Sequence, residues 1–122
     1  MSFNTKTVAQ LTGLTQRQVD YWDRSHFVKP SLKEAAGYGS GRLYSFVDLV
    51  QLKVAKALKD KGISLQKIRK SITYLRKHFP DVQKPLAEMR FITDGDKIFV
   101  LTKDSKAILD THQELEGINI RS

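Results

Sequence analysis

Residues 12–24 have the sequence TGLTQRQVDYWDR, and the pattern of this segment predicts two short helices joined by a tight turn. Gly13 can adopt the left-handed conformation that ends a helix, and Thr15 can cap the start of the next helix. Gln18 stands three residues after Thr15, where its side chain can complete a capping box. Because so few residues separate the two predicted helices, the helices must cross at a steep angle. The segment therefore predicts a helix-turn-helix.

Thr15 stands between apolar residues, and three other capping residues along the chain have apolar neighbours in the same arrangement. The capping residues are Asn4, Thr15, Ser45 and Ser64. They predict helices near residues 5–12, 16–25, 46–61 and 65–78. The fourth helix repeats apolar residues in steps of three and four, which predicts one buried face and leaves basic side chains on the others.

A glycine-rich loop lies between the second and third predicted helices. Three glycines fall within residues 37–41, and short extended pieces around them end at Leu43 and Tyr44. Such a loop is typical of the tip of a small hairpin, which we call the wing and define as residues 30–44. The fold class is therefore α+β and mainly α, a winged helix-turn-helix with two further helices and a C-terminal β-hairpin appendage.

The excess of basic residues is concentrated in the N-terminal two thirds of the chain. The whole chain has 21 Lys and Arg against 13 Asp and Glu. Residues 1–79 contain 15 basic and 5 acidic residues, a net charge of +10, and residues 80–122 contain 6 and 8, a net charge of −2. A positive charge of this density attracts polyanions by releasing counterions, which favours nucleic acid as the partner. An anionic membrane would require an exposed apolar face, and the apolar faces here are assigned to a core.

Other classes of function find little support in the sequence. There is no cysteine, and the three histidines are too scattered for a metal motif, so we predict no metal and no cofactor. No signal peptide or membrane span can be identified, and with the lack of cysteine this predicts a cytoplasmic protein associated with the nucleoid. No catalytic spacing of histidine, serine and carboxylate is present, so we do not expect an enzyme.

The composition changes between Phe79 and Pro85, where two prolines stand and the net charge reverses. We place a domain boundary here, with a DNA-binding domain at residues 1–79 and an appendage at residues 80–122. Within the appendage, Asp94-Gly95 is the strongest short hairpin signal in the chain. It separates two predicted arms, residues 86–93 and 96–102. A two-residue turn would place Phe91 opposite Ile98 and Met89 opposite Val100.

One face of this hairpin is therefore apolar and needs a cover. It could dimerise the chain, or it could pack on the chain's own fourth helix or on residues 105–120, and the sequence leaves these alternatives open. A short helix near residues 105–115 and a third strand at residues 118–120 complete the prediction.

Several separated segments resemble, in order and spacing, the DNA-binding domain of MerR-family transcription regulators. Besides residues 12–24 they are Pro30, Gly37-Tyr38, RLYSFVDL at 42–49 and GISL at 62–65. The resemblance covers residues 3–77. It implies that the second helix enters the major groove and that the wing flanks the backbone or minor groove. It also implies a bacterial homodimer acting at a promoter, where RNA polymerase is a candidate partner. Asp20 departs from the family, which often has a second arginine there, and the usual long dimerising helix cannot be identified.

The candidate DNA contacts follow from this resemblance and from the position of each residue. They are Thr15, Gln16, Arg17, Gln18, Tyr21, Arg24, Tyr38, Arg42, Tyr44 and Lys67. Arg17 is the first candidate for reading bases, because an arginine fork can satisfy both acceptors of guanine. Arg42 is assigned to the wing as a backbone contact. Tyr44 is either a phosphate donor or an apolar flank of the Ser45 cap, and Trp22 is assigned to the core.

Four of these candidates have a structural alternative. Gln18 could serve only as a cap, and Tyr21 could belong to the core. Arg24 could bind phosphate or pair with Asp20 at the helical four-residue spacing. Lys67 stands in the first turn of the fourth helix, where an anion is favoured, but such a charge is usually only solvated.

Three functions compete for this chain. The first is a sequence-specific transcription regulator, the second a DNA-architectural protein resembling the excisionases of mobile elements, and the third a protein-interaction module. The acidic, apolar hairpin favours the regulator, because a protein that only bends DNA needs no such appendage. One recognition helix reads few base pairs, so we expect a homodimer on DNA. The operator, the effector and the direction of regulation remain open.

Overall fold

A computed structural model describes residues 1–34 and 41–101 and, as backbone strands, Ile108–Asp110 and Ile120–Arg121. The helices are α1 (Thr5–Thr12), α2 (Gln16–Arg24), α3 (Phe46–Asp60), α4 (Leu65–His78) and α5 (Pro85–Glu88). The strands are β1 (Arg90–Thr93), β2 (Ile98–Leu101), β3 (Ile108–Asp110) and β4 (Ile120–Arg121). The four long helices begin and end within one residue of their predicted bounds, and the predicted fold class is confirmed.

The chain divides into two compact units, Met1–Lys56 and Ala57–Ser122, and the division falls within α3. The functional boundary placed between Phe79 and Pro85 stays a prediction. In the part of the chain that the structure describes, no helix has the length and apolar character needed to cross a membrane.

The turn between α1 and α2 is built as the sequence predicts. Gly13 has a φ of 83°, and its N–H donates to the Ala9 carbonyl at 3.0 Å. Thr12 is buried, and its hydroxyl donates to the Val8 carbonyl at 2.8 Å and accepts from the Leu14 N–H at 3.2 Å. A left-handed residue ends a helix because its backbone turns away from the helix axis. These bonds therefore fix where α1 stops and how the chain enters α2.

The core of the N-terminal unit is formed by the apolar side of each element. Its large buried members are Val8, Leu14, Val19, Trp22, Val28, Tyr44, Leu49 and Leu52. Trp22 is only 3% exposed, and its ring meets Phe27 edge to face with 5.2 Å between the ring centroids. The assignment of Trp22 to the core is confirmed.

Two isolated β-bridges hold the base of the wing. Lys33 pairs with Leu43 across the two arms, and Tyr44 pairs with Phe3 near the N-terminus. The Phe3 and Tyr44 backbones exchange hydrogen bonds of 2.9 and 2.8 Å. The predicted extended pieces are therefore present, and residues 35–40 of the wing tip lie outside the described residues.

The sheet of the C-terminal unit is an antiparallel meander in the order β1-β2-β3-β4. Val100 on β2 forms a buried cluster with Tyr74 and Leu75 of α4. Three partly buried apolar residues pack against this cluster: Phe79, Met89 and Phe91. The apolar face of the hairpin is thus covered by the chain's own fourth helix. Of the alternatives that the sequence left open, packing within the chain is confirmed for this face.

The turn of the hairpin differs from the prediction. Thr93 pairs with Ile98, so four residues connect β1 and β2 instead of two. The Asp94 carboxylate accepts from the N–H groups of Asp96 at 2.9 Å and Lys97 at 2.8 Å, and these bonds lower the pKa of Asp94. A longer turn is favoured because this side chain satisfies two backbone donors that a two-residue turn would not leave free. The register consequently sets Phe91 opposite Val100.

Two further elements correct the prediction for the appendage. The first predicted arm starts too early, because Pro85–Glu88 form the short helix α5, with proline at its favoured first position. The helix predicted near residues 105–115 is wrong over Ile108–Asp110, whose backbone pairs with β2 as strand β3. The strand predicted at residues 118–120 is confirmed at Ile120, where β4 begins. The other residues of these two predicted segments lie outside the described ones.

Candidate nucleic-acid interface

Helix α2 has one polar, exposed face. Its exposed residues are Gln16, Arg17, Gln18, Tyr21 and Arg24. The opposite face contributes Val19 and Trp22 to the core. Tyr21 is 53% exposed and lies one helical turn after Arg17, so the alternative that places Tyr21 in the core is wrong. Arg17 and Tyr21 therefore lie side by side on the surface.

A complete capping box fixes the start of this face. The Thr15 hydroxyl accepts from the Gln18 N–H at 3.0 Å, and the Gln18 side-chain oxygen accepts from the Thr15 N–H at 2.9 Å. The capping role of Gln18 is confirmed. Because both partners are bonded to the backbone of the first turn, the two residues between them, Gln16 and Arg17, start from a defined backbone position.

A charge network joins α2 to the base of the wing. The network consists of Asp20, Asp23, Arg24, Lys29 and Arg42. The Arg42 guanidinium binds Asp23 through Nε at 2.5 Å and Asp20 through Nη2 at 2.5 Å. Asp23 also binds Lys29 Nζ at 2.8 Å, and Asp20 binds Arg24 Nε at 2.8 Å. Since the two aspartates stand three residues apart on one helix, their carboxylates lie close enough for one guanidinium to bridge them.

The ion pairs of the network shift the pKa of Asp20 and of Arg42 toward the charged form. Burial alone would raise the pKa of Asp20, but the hydrogen bond and charge of Arg42, with those of Arg24, lower it below its ordinary value. Burial likewise opposes the charge on Arg42, and the bonds to Asp23 and Asp20 outweigh it, so the pKa of Arg42 is raised. Burial, followed by the nearby charge of Asp23, raises the pKa of Tyr44. Asp20 and Arg42 therefore stay charged near neutral pH.

The structure corrects the predicted surface positions of Arg42 and Tyr44. Arg42 is 6% exposed, with its guanidinium directed to carboxylates on α2. Tyr44 is completely buried, and within the described residues its hydroxyl has no hydrogen-bond partner. A contact with the DNA backbone requires an accessible donor, so neither Arg42 nor Tyr44 is placed to make one. The alternative of Tyr44 as a packing residue is confirmed.

Three predicted contacts remain to be placed: Arg24, Lys67 and Tyr38. Arg24 forms the ion pair with Asp20 that the four-residue spacing predicted. Its side chain nevertheless remains 65% exposed. Lys67 lies in the C-terminal unit, where its Nζ donates to the backbone oxygen of Asp96 at 2.9 Å and to its carboxylate at 3.3 Å. Tyr38 lies outside the described residues.

A second buried carboxylate anchors the other end of the wing. The Asp48 carboxylate, on α3, accepts from the N–H of Ser31 at 2.8 Å, from its hydroxyl at 2.7 Å and from the Ser45 N–H at 2.8 Å. Asp48 is 1% exposed, so these bonds are shielded from water. The first residues of the wing are thereby tied to the start of α3.

Asp23 and Lys29 belong to the charge network, although neither was predicted as a site residue from the sequence. A usable signal was present: Asp23 directly follows Trp22 and falls on the core side of the predicted helix. A buried carboxylate requires a cation or several donors, and two cations are near in the sequence: Lys29 directly precedes the wing and Arg42 lies in its second arm. The position of Arg42 after a glycine-rich loop instead suggested an exposed contact.

The helix-turn-helix, the bridged wing and the exposed polar face of α2 define this protein as a winged helix-turn-helix protein of the nucleic-acid-binding class. Residues 3–75 match the model of the MerR HTH family of regulatory proteins, which is more than half of the chain. The chain belongs to this family, and the resemblance described from the sequence is confirmed.

Individual relatives agree with this membership. The chain is 39% identical over 118 residues to an uncharacterized HTH-type transcriptional regulator of Mycobacterium bovis and to one of Mycobacterium tuberculosis, covering 97% of this chain and 51% of each relative. It is 31% identical over 74 residues to the HTH-type transcriptional activator mta of Bacillus subtilis, covering 61% of this chain and 28% of that protein. The chain thus spans about half the length of the mycobacterial relatives. These likenesses support DNA-binding transcription regulation.

Proposed function

We propose that this protein binds double-stranded DNA in a sequence-specific manner and regulates transcription. In this proposal α2 enters the major groove, and the wing lies beside the backbone or minor groove. The observation that carries the proposal is the exposed face of α2, on which Arg17 and Tyr21 stand beside each other after a fully formed capping box. An arginine near the start of a recognition helix can bind guanine through both of its acceptors.

The contacts are divided by their chemistry. Arg17 and Gln16 are the proposed base-reading residues, because they occupy the first turn of α2. Tyr21 and Arg24 are the proposed phosphate contacts, since a phenol and a guanidinium can both donate to phosphate oxygens. The charge network sets the position of the wing relative to these residues, without touching DNA through Arg42.

A homodimer at a promoter remains part of the proposal. One α2 helix reads too few base pairs to find a single site in a genome, so two copies must be placed on the DNA together. The apolar face of the hairpin is covered by α4, so the dimer must use another surface. Contact with RNA polymerase would follow from binding at a promoter.

Selection of bound sequences from random duplex DNA tests this function. We expect one symmetric consensus, with an affinity that falls steeply as salt rises, by about one unit of logarithmic slope for each phosphate neutralised. Binding without a consensus would favour the DNA-architectural alternative. Failure to bind duplex DNA at low salt would refute the proposal.

The variant Arg17→Ala separates base reading from general attraction. We expect it to lower affinity for the selected site by about 1–3 kcal/mol and to relax the preference at one base pair, with a smaller effect on random DNA. Arg90→Ala is the matched control, because Arg90 is an exposed arginine on β1. Equal losses on selected and random DNA would show that Arg17 does not read bases.

A further inference from the structure

Asp20 places a carboxylate on the helix that we propose meets DNA. It stands three residues after Arg17 and four before Arg24, so it shares a helical face with both. Its side chain is 31% exposed and therefore reaches the surface. A negative charge at this place repels phosphates, so it weakens the general attraction of this face for DNA.

Both oxygens of Asp20 are occupied by arginines. Oδ1 binds Arg42 Nη2 at 2.5 Å, and Oδ2 binds Arg24 Nε at 2.8 Å. A carboxylate can read cytosine only by accepting from its amino group, and bonds already made to two guanidinium groups compete with that contact. Asp20 is therefore poorly suited to read a base directly.

The two arginines are held to different degrees. The Arg42 side chain is 5% exposed and has a second bond to Asp23, so it stays in place. The Arg24 side chain is 65% exposed and is tied to Asp20 by an exposed ion pair, which restricts its rotamers without burying its charge. Asp20 thus links a fixed cation in the wing to an accessible cation at the end of α2.

We propose that Asp20 is a specificity-determining residue, which orients Arg24 for one register on the DNA and repels phosphates in all others. This inference rests on the proposed function, because it assumes that α2 faces DNA. Nonspecific binding depends almost entirely on charge, so a fixed carboxylate weakens it directly. In the specific complex the repulsion is offset by a contact from an arginine that is already oriented, so less rotamer freedom is lost on binding.

The test compares wild type with Asp20→Asn on the selected site and on random duplex DNA over a range of salt. The substitution keeps the size of the side chain and removes its charge. For random DNA we expect the affinity to rise about threefold and the salt slope to steepen by up to about one unit, the effect of one additional phosphate contact. The affinity for the selected site should stay constant or fall, so the ratio of the two affinities decreases. Asp81→Asn, an equal change of charge at an exposed residue of the C-terminal unit, should leave the ratio unchanged.

A change by the same factor on both DNAs, or weaker binding to random DNA, would overturn the inference. If Asp20→Asn fails to fold, Arg24→Ala provides the second test, because an exposed pair contributes little to stability. Arg24→Ala should lower the affinity for the selected site more than the affinity for random DNA. Equal losses of affinity for the two DNAs would again contradict the inference. If the wild-type protein selects no consensus, the proposed function itself is refuted. If it selects a consensus but Asp20→Asn leaves the ratio of specific to random affinity unchanged, only the role of Asp20 is refuted.

Discussion

Replacing Arg42 with alanine tests whether buried ion pairs hold the wing against α2. The substitution leaves Asp23, whose side chain is 5% exposed, with Lys29 as its remaining cation in the network, and it leaves Asp20 with Arg24. Removing one partner of a buried ion pair typically costs about 3–5 kcal/mol, because the other charge stays buried. Since each aspartate retains one cation here, we expect a loss of about 3 kcal/mol in the free energy of unfolding.

The assay is urea unfolding followed by tryptophan fluorescence. Trp22 is the only tryptophan in the sequence, and it is buried in the core of the N-terminal unit, so its emission reports the loss of that core. Arg24→Ala is the matched control, since it removes another arginine from the same aspartate. Because that pair is exposed, its removal should cost no more than about 0.5 kcal/mol.

The comparison of these two variants decides the outcome. If Arg42→Ala and Arg24→Ala destabilise the protein equally, the reasoning from burial is refuted. Arg42→Lys gives a second check, because an ammonium group cannot present the planar fork that bridges two carboxylates. It should recover only part of the stability lost in Arg42→Ala.

Three further outcomes are expected. The stabilisation by Asp20 should depend on pH: its pKa is lowered on folding, so its contribution is present above the unfolded value of about 3.9 and is lost as pH falls through the folded value. The difference in unfolding free energy between wild type and Asp20→Asn should therefore shrink between pH 6 and pH 2.5, and a constant difference would contradict this linkage. Val100→Ala should lower the free energy of unfolding by about 2 kcal/mol, because Val100 is completely buried. Ile92→Ala, at a 48% exposed position, should lower it by about 1 kcal/mol or less, and thermal or urea unfolding followed by circular dichroism measures both. Thr15→Ala should cost about 1 kcal/mol by Trp22 fluorescence through loss of the α2 cap, and a cost as small as that of Gln16→Ala would argue against the cap.

The helix starts could be predicted because their causes are local. Asn4, Thr15 and Ser64 each accept a hydrogen bond from a backbone N–H three residues later, and this bond depends only on neighbouring residues. The same holds for Gly13, whose left-handed φ ends α1. The exposed face of α2 followed from the spacing of apolar residues, which is also a local property.

The appendage shows where local reasoning fails. Asp94-Gly95 correctly marked a turn, but the length of the turn depended on the bonds that the Asp94 carboxylate makes. Residues Ile108–Asp110 form a strand because the edge of β2 offers backbone partners to them. A three-residue strand has almost no signal of its own, since its stability comes from the strand beside it.

The helix-turn-helix, the capped and exposed face of α2, the basic charge of the N-terminal two thirds and the family resemblance could all be predicted from the sequence alone. Three features became visible only in the folded chain: Arg42 is buried, it bridges Asp20 and Asp23, and the apolar face of the hairpin lies on α4. The physical reason is the distance along the chain over which each interaction acts. Caps and helical spacing involve residues three or four apart, whereas Arg42 and Asp23 are 19 residues apart and meet only when the wing folds against α2.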